Sequence, residues 1–223
     1  LVPDGLNEVG RQAGLALSSG AAGYVARRYL GGAGEARDAG WDEIIGCNAA
    51  YRRTAFVQIG GFSADFYPGE EMLAAWRTEA AGWKLKFVPG ARVWHWPRQG
   101  LGRFWRQMWR YGATRVRLIR AGVDWHAITL VPGLWVGVTA GLAVVGAWWR
   151  PAWALLGLDL LAYGLVAAWF AAEVVRETRR AGDWRVWGMM WVMHAAYGLG
   201  EWLELVRPSR DLSDAPAGAG GTR

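Results

Sequence analysis

Hydrophobic and polar positions divide this chain into two unlike halves. Residues 127–172 carry only two charges in 46 positions, Arg150 and Asp159. About 20 apolar helical residues cross a bilayer, so the pattern predicts three spans, at residues 127–149, 151–172 and 186–206. The third is the least pure, holding His194, Glu201 and Glu204. Before residue 127 the pattern changes every few residues. Residues 7–18 fit a short helix and 20–39 a Gly/Ala-rich loop. Residues 43–51 read as a buried strand and 53–59 as a helix ended by Gly60-Gly61. After Pro68-Gly69 a helix is predicted over 70–81, stopped by Gly82, then strands at 84–88 and 92–96 around Pro89-Gly90. This mixture predicts an α/β layer with too few strands for a whole sheet.

Residues 102–121 form a basic amphipathic helix. Arg103, Arg106, Arg110 and Arg117 fall on one face, and Phe104, Trp105, Met108, Gly112, Val116 and Ile119 on the other. So close to a predicted span, such a helix is expected in the membrane interface, arginines toward headgroups or an anionic ligand. That position argues against nucleic acid as its partner.

Charge then orients the chain. Only Lys84 and Lys86 are lysine among 25 basic residues, against 19 acidic ones, for a net charge of +6. Seven arginines lie between Arg98 and Arg120 and four between Arg176 and Arg185, but only Arg150 in the turn between the first two spans. Arginine excess marks the cytoplasmic side, which places residues 1–126 there and, with three spans, the tail after Val206 outside. Fourteen of the 17 tryptophans lie from Trp94 onward, many at span ends, as interfacial anchors do. The mean hydropathy of +0.05 is the average of these halves. One cysteine, Cys47, excludes an internal disulfide. The chain opens at Leu1 without a signal-peptide pattern and is expected to be the C-terminal part of a longer protein. The organisation expected is 1–97 soluble, 98–126 interfacial helix, 127–206 membrane helices and 207–223 disordered tail.

Several residue groups can carry chemistry. Glu70 and Glu71 occupy a helix first turn, where free N–H groups favour ionised carboxylates; either is a helix-start charge or a general base. His95 lies between Trp94 and Trp96, as a packed histidine or a metal ligand. Gln107, Arg110 and Tyr111 share one helix, where a guanidinium beside an amide and an aromatic suits a pyrophosphate.

In order, Gly46-Cys47-Asn48-Ala49-Ala50-Tyr51-Arg52-Arg53, Gly60-Gly61-Phe62, Gly69-Glu70-Glu71 with Arg77, Gly82 and Pro89, then His95 and Gln107-Met108-Trp109-Arg110-Tyr111 resemble the C-terminal half of family 2 glycosyltransferases. The closing His194-Ala195-Ala196-Tyr197-Gly198-Leu199-Gly200 is similar to the last membrane helix of the bacterial exopolysaccharide, succinoglycan-type branch. The resemblance implies part of a GT-A fold, its nucleotide-binding half missing, and inverting transfer from a nucleotide-sugar to a lipid-linked or polysaccharide acceptor at the inner membrane. It implies Glu71 as base with Glu70 beside it, and Asn48, Gly60, Gly61 and Phe62 lining the acceptor site. Gln107, Arg110 and Tyr111 would hold the donor pyrophosphate, and His95 would reach Mg²⁺ or Mn²⁺, whose main ligands are expected upstream of Leu1. Glutamate stands at 71 where the family has aspartate, and no D-x-D metal motif is present, so the chain is expected to be inactive alone. The alternatives are a non-catalytic membrane protein docking a partner or anionic lipid, an inactive relative, and a transporter using Asp159, His194, Glu201 and Glu204.

Overall fold

The computed structural model describes residues 6–28 and 34–208, and the predicted disordered tail lies almost wholly outside them. Helix α1 (Glu8–Ser18) is capped by the Asn7 side chain, which accepts from the Gly10 N–H at 2.8 Å. Helix α2 (Arg53–Gln58) is short, and α3 (Glu70–Ala80) begins after Gly69, whose φ of 135° needs glycine. Helix α4 (Leu101–Arg120) is the basic amphipathic one. Helices α5 (Val131–Val145) and α6 (Pro151–Thr178) form a hairpin, and α7 (Val186–Val206) follows.

The α/β expectation is not met. Among the described residues the only sheet is β1 (Arg37–Ala39) paired antiparallel with β2 (Leu85–Phe87). The GT-A domain implied by the resemblance is therefore not present in this fold. Residues 43–51, read as a strand, begin at the end of one 3₁₀ turn (Trp41–Glu43) and contain another (Gly46–Asn48). The reason is local: a Cβ on Gly46 would lie 3.2 Å from Glu71 Cβ, so the chain turns tightly over α3 there. Residues 92–96 are exposed, and without a neighbour to complete a ladder they form no strand. Residues 20–39, read as loop, contain a kinked 3₁₀ segment (Gly20–Arg28) and β1.

The span count is corrected too. Two helices, Ala127–Val145 and Pro151–Thr178, are long and apolar enough to cross a membrane, rather than three. Their outer faces expose Leu134, Val138, Leu158, Leu161 and Leu165. Between them Trp135 stacks on Tyr163 at 4.2 Å, and Asp159 accepts a hydrogen bond from Thr139 Oγ1 at 2.8 Å. That bond ties Asp159 to α5 inside the hairpin. The last turns of α6 leave the hairpin: Ala171 and Val174 are buried with Ala13 and Leu17 of α1.

Helix α7 is a packed strut. It runs along α4, crosses the start of α5 and touches α1 and α6. Gly200 meets the Trp109 carbonyl of α4 and Gly198 the Pro132 carbonyl of α5, so neighbouring glycines admit a different helix on each side. Glu201 and Glu204 turn inward, 2% and 5% exposed, and His194 is held between Tyr163 OH (2.8 Å) and the Ala21 carbonyl (2.9 Å). The apolar face of α4, expected to lie against lipid, is spent on α7: Phe104 and Met108 are buried among Met189, Met190 and Met193.

Candidate functional site

The two glutamates of α3 point to different places. Glu70 folds back and accepts from the Gly69 N–H at 2.9 Å, which makes it a cap for its own helix. Glu71, one position and so about 100° further round, faces inward with its side chain 18% exposed. Its Oε1 lies 3.9 Å from Nη1 of Arg28. Burial raises the Glu71 carboxyl above the ordinary carboxylate range; its own N–H, Arg28 and Arg115 oppose that, and neighbouring Glu70 adds to it. A partly desolvated carboxylate with one cation at hand is suited to accept a proton.

Arg28 is held edge-on. Its Nε donates to the Asp42 carbonyl at 2.7 Å, while Nη2 is buried with no partner among the described residues. Arg28 also borders a cleft in the N-terminal half, a space of about 740 Å³. Lys84, Lys86, Arg52 and Arg92 lie on the same walls, which gives the cleft a cationic lining.

The other expected site residues divide between this region and elsewhere. Asn48 lines the cleft and donates from Nδ2 to the Ala91 carbonyl at 2.9 Å, tying its turn to the segment after Pro89. Gly60 and Gly61 (φ 78° and 69°) make the left-handed turn that closes α2. That turn sets Phe62 edge-on against Phe56 and Tyr51, with centroids at 5.0 and 6.1 Å. Tyr51 reaches the Glu71 region: burial and the Glu71 charge both raise its phenol. From α4, Gln107 Nε2 donates to Tyr111 OH at 2.9 Å, and Tyr111 lies in the fields of Glu71, Arg28 and Arg98. Gln107 Oε1 is buried without a partner among the described residues.

Two residues are not brought to this point. Arg110 lies with Trp105, Arg106 and Trp109 around a shallow hollow on the exposed side of α4. His95 is exposed on the cleft wall, and among the described residues no three His, Cys, Asp or Glu side chains converge. Here His95 offers Mg²⁺ or Mn²⁺ a single imidazole, and the resemblance puts the metal's main ligands upstream of Leu1.

Arg28 and Arg115 belong to the site without having been singled out. Arg115 is 5% exposed and hydrogen-bonds Tyr24 OH and, at 3.4 Å, Tyr197 OH, joining the Glu71 region to α7. Its signal is visible in retrospect: Phe104, Met108, Tyr111 and Arg115 advance by steps of 4, 3 and 4, which puts this arginine on the buried face. Arg28 stands in a Gly/Ala-rich segment with no periodicity, and nothing in the sequence distinguishes it from Arg27.

No protein-family model, no curated protein and no solved structure matches this chain.

Proposed function

We propose that this chain is the acceptor-side, membrane-anchored part of a glycosyltransferase, with Glu71 as general base. The observation that carries the reading is the convergence on Glu71 of segments far apart in sequence: Gly46 and Tyr51, Arg28, and Tyr111 with its partner Gln107. In the reaction, the Glu71 carboxylate takes the proton of an acceptor hydroxyl as the hydroxyl oxygen attacks the anomeric carbon of a nucleotide-sugar. The anomeric C–O bond to the diphosphate breaks, and the nucleoside diphosphate leaves with that electron pair. Attack opposite the leaving group inverts the anomeric centre. The acceptor is lipid-linked or a nascent polysaccharide, and the α5–α6 hairpin holds the site at the cytoplasmic face of a bacterial inner membrane.

The test is Glu71→Gln in the full-length protein in native membranes, scored by transfer of radiolabelled sugar into the lipid and polysaccharide fractions. Proton removal by a positioned base contributes about 10²–10⁴-fold, so transfer should fall by at least a hundredfold. Glu70→Gln should retain most of it. Wild-type transfer by Glu71→Gln, at equal expression, overturns the assignment.

A further inference from the structure

We infer that Arg28 anchors a diphosphate-binding subsite beside Glu71. This deepens the glycosyltransferase reading and rests on it for the identity of the ligand, but not for the existence of the site. The side chain of Arg28 is only 7% exposed, and a guanidinium is always charged. Buried donors in folded proteins are nearly always hydrogen-bonded, and one left unmade is costly. Here Nε is used by the Asp42 carbonyl and Nη1 faces Glu71, while Nη2 has no partner among the described residues. Two further buried polar atoms, Tyr51 OH and Gln107 Oε1, also have no partner among the described residues. Tyr51 borders the same cleft as Arg28, and Gln107 is bonded to Tyr111, which lies in the field of both Arg28 and Glu71.

The orphaned atoms describe a ligand. A guanidinium edge and a phenol O–H donate, and so fit anionic oxygens; an amide oxygen accepts, and so fits a hydroxyl. A glycosyl diphosphate presents both kinds of group. Planar guanidinium edges pair with phosphate oxygens better than a lysine ammonium does. The basic walls formed by Arg52 and Lys84 attract the same charge into the cleft. Arg110, the arginine expected to do this, faces the other side of α4. Two sources supply the group, a nucleotide-sugar donor and a lipid-diphosphate acceptor.

The experiment uses the full chain in nanodiscs, titrated calorimetrically with inorganic pyrophosphate. Arg28→Gln should weaken binding at least tenfold, and Arg28→Lys by less. Arg185→Gln, whose native guanidinium pairs with Glu8 at 3.5 Å and does not line the cleft, should change it less than twofold. Matching melting temperatures for the Arg28 variants show that folding is not the cause. Repeating the titration with uridine diphosphate and with a short-chain polyprenyl diphosphate assigns the source, which is whichever ligand loses affinity in Arg28→Gln. Equal pyrophosphate affinity in wild type and Arg28→Gln, or no binding by wild type at millimolar ligand, overturns the proposal. The two readings fail separately. Full sugar transfer by Glu71→Gln with Arg28-dependent pyrophosphate binding sinks the base and keeps the subsite; the opposite pair of results does the reverse.

Discussion

Gly112 of α4 and Tyr197 of α7 meet main chain to main chain: a Cβ on Gly112 would fall within the van der Waals shell of the Tyr197 carbonyl oxygen. One turn away, Gly200 bears the same relation to the Trp109 carbonyl. This double seam brings Arg115 within hydrogen-bonding reach of Tyr197 and ties α4, which carries Gln107 and Tyr111, to the membrane-proximal part of the molecule. Close backbone approach through small residues is a common way of packing helices without bulky side chains.

The seam predicts that Gly112→Ala is destabilising although alanine is the better helix former. Overpacking against backbone costs about 1–3 kcal/mol, and each kcal/mol moves the midpoint of a chain this size by about 2–4 °C. The melting temperature in detergent should drop by roughly 2–12 °C. Gly141→Ala, where an added Cβ meets nothing within 4 Å, should leave it unchanged or higher. A Gly112→Ala protein as stable as wild type contradicts the seam.

Asp183, 3% exposed, clamps the α6–α7 connection to α1, accepting from Arg11 Nε at 2.7 Å and Nη2 at 2.5 Å. Hydrogen bonding to Arg11 is the main cause of its lowered carboxyl pKa, and burial opposes it. A depressed carboxyl stabilises the fold fully above its unfolded value, near 3.9, and that contribution disappears as pH falls through the lower folded value. Asp183→Asn should therefore cost about 2 kcal/mol at pH 7. The difference from wild type should narrow only below about pH 4. Thermal melts of both proteins across pH 3–8 check this.

For Glu71 the sign is reversed. Burial raises its carboxyl above the unfolded value of about 4.3. Stability from the protonated form is full below that value and lost as pH rises through the folded one, so the native protein carries a penalty at neutral pH. Glu71→Gln should melt higher than wild type at pH 7–8, and the two should converge at pH 4 and below. The measurement is independent of any enzymatic assay. A variant that melts lower at pH 8 would show that the charged form is held by its neighbours more strongly than burial opposes it.

Local periodicity carried much of the fold. The helices over 53–59, 70–81 and 102–121 appear within two residues of their expected ends, because capping glycines and a 3.6-residue apolar repeat act over a few residues. The sheet was not legible, because a strand exists only where another strand completes its ladder, and residues 92–96 have none. The third span fails on composition: His194, Glu201 and Glu204 make Val186–Val206 less apolar than the two helices before it, and Gly198 and Gly200 dock it against protein on two sides. At the site, Glu71 stood out by its place after Pro68-Gly69, whereas Arg28 is recognisable only once folding has buried it beside a carboxylate.

Two spans instead of three alter which side the end of the chain occupies. Two crossings by the α5–α6 hairpin would return the chain to the side it left, and the connection after it bonds directly to the N-terminal half through Arg11–Asp183 and Arg185–Glu8. Helix α7 would then stay on that side; its Trp202 Nε1 donates to the Gly133 carbonyl at the start of α5 at 2.7 Å. The proposed topology therefore places Arg207 with Cys47 in the cytoplasm and leaves the Arg150 turn alone outside, in keeping with an arginine-poor outer loop. Single-cysteine variants test this: Arg150→Cys and Arg207→Cys, each in a Cys47→Ser background, with the native Cys47 protein as reference. In intact spheroplasts a membrane-impermeant maleimide should label only the variant with cysteine at 150. After lysis, cysteine at 207 and the native Cys47, exposed in the cleft wall, should label as well. Labelling at 207 before lysis would restore a third crossing and detach α7 from the packing described here.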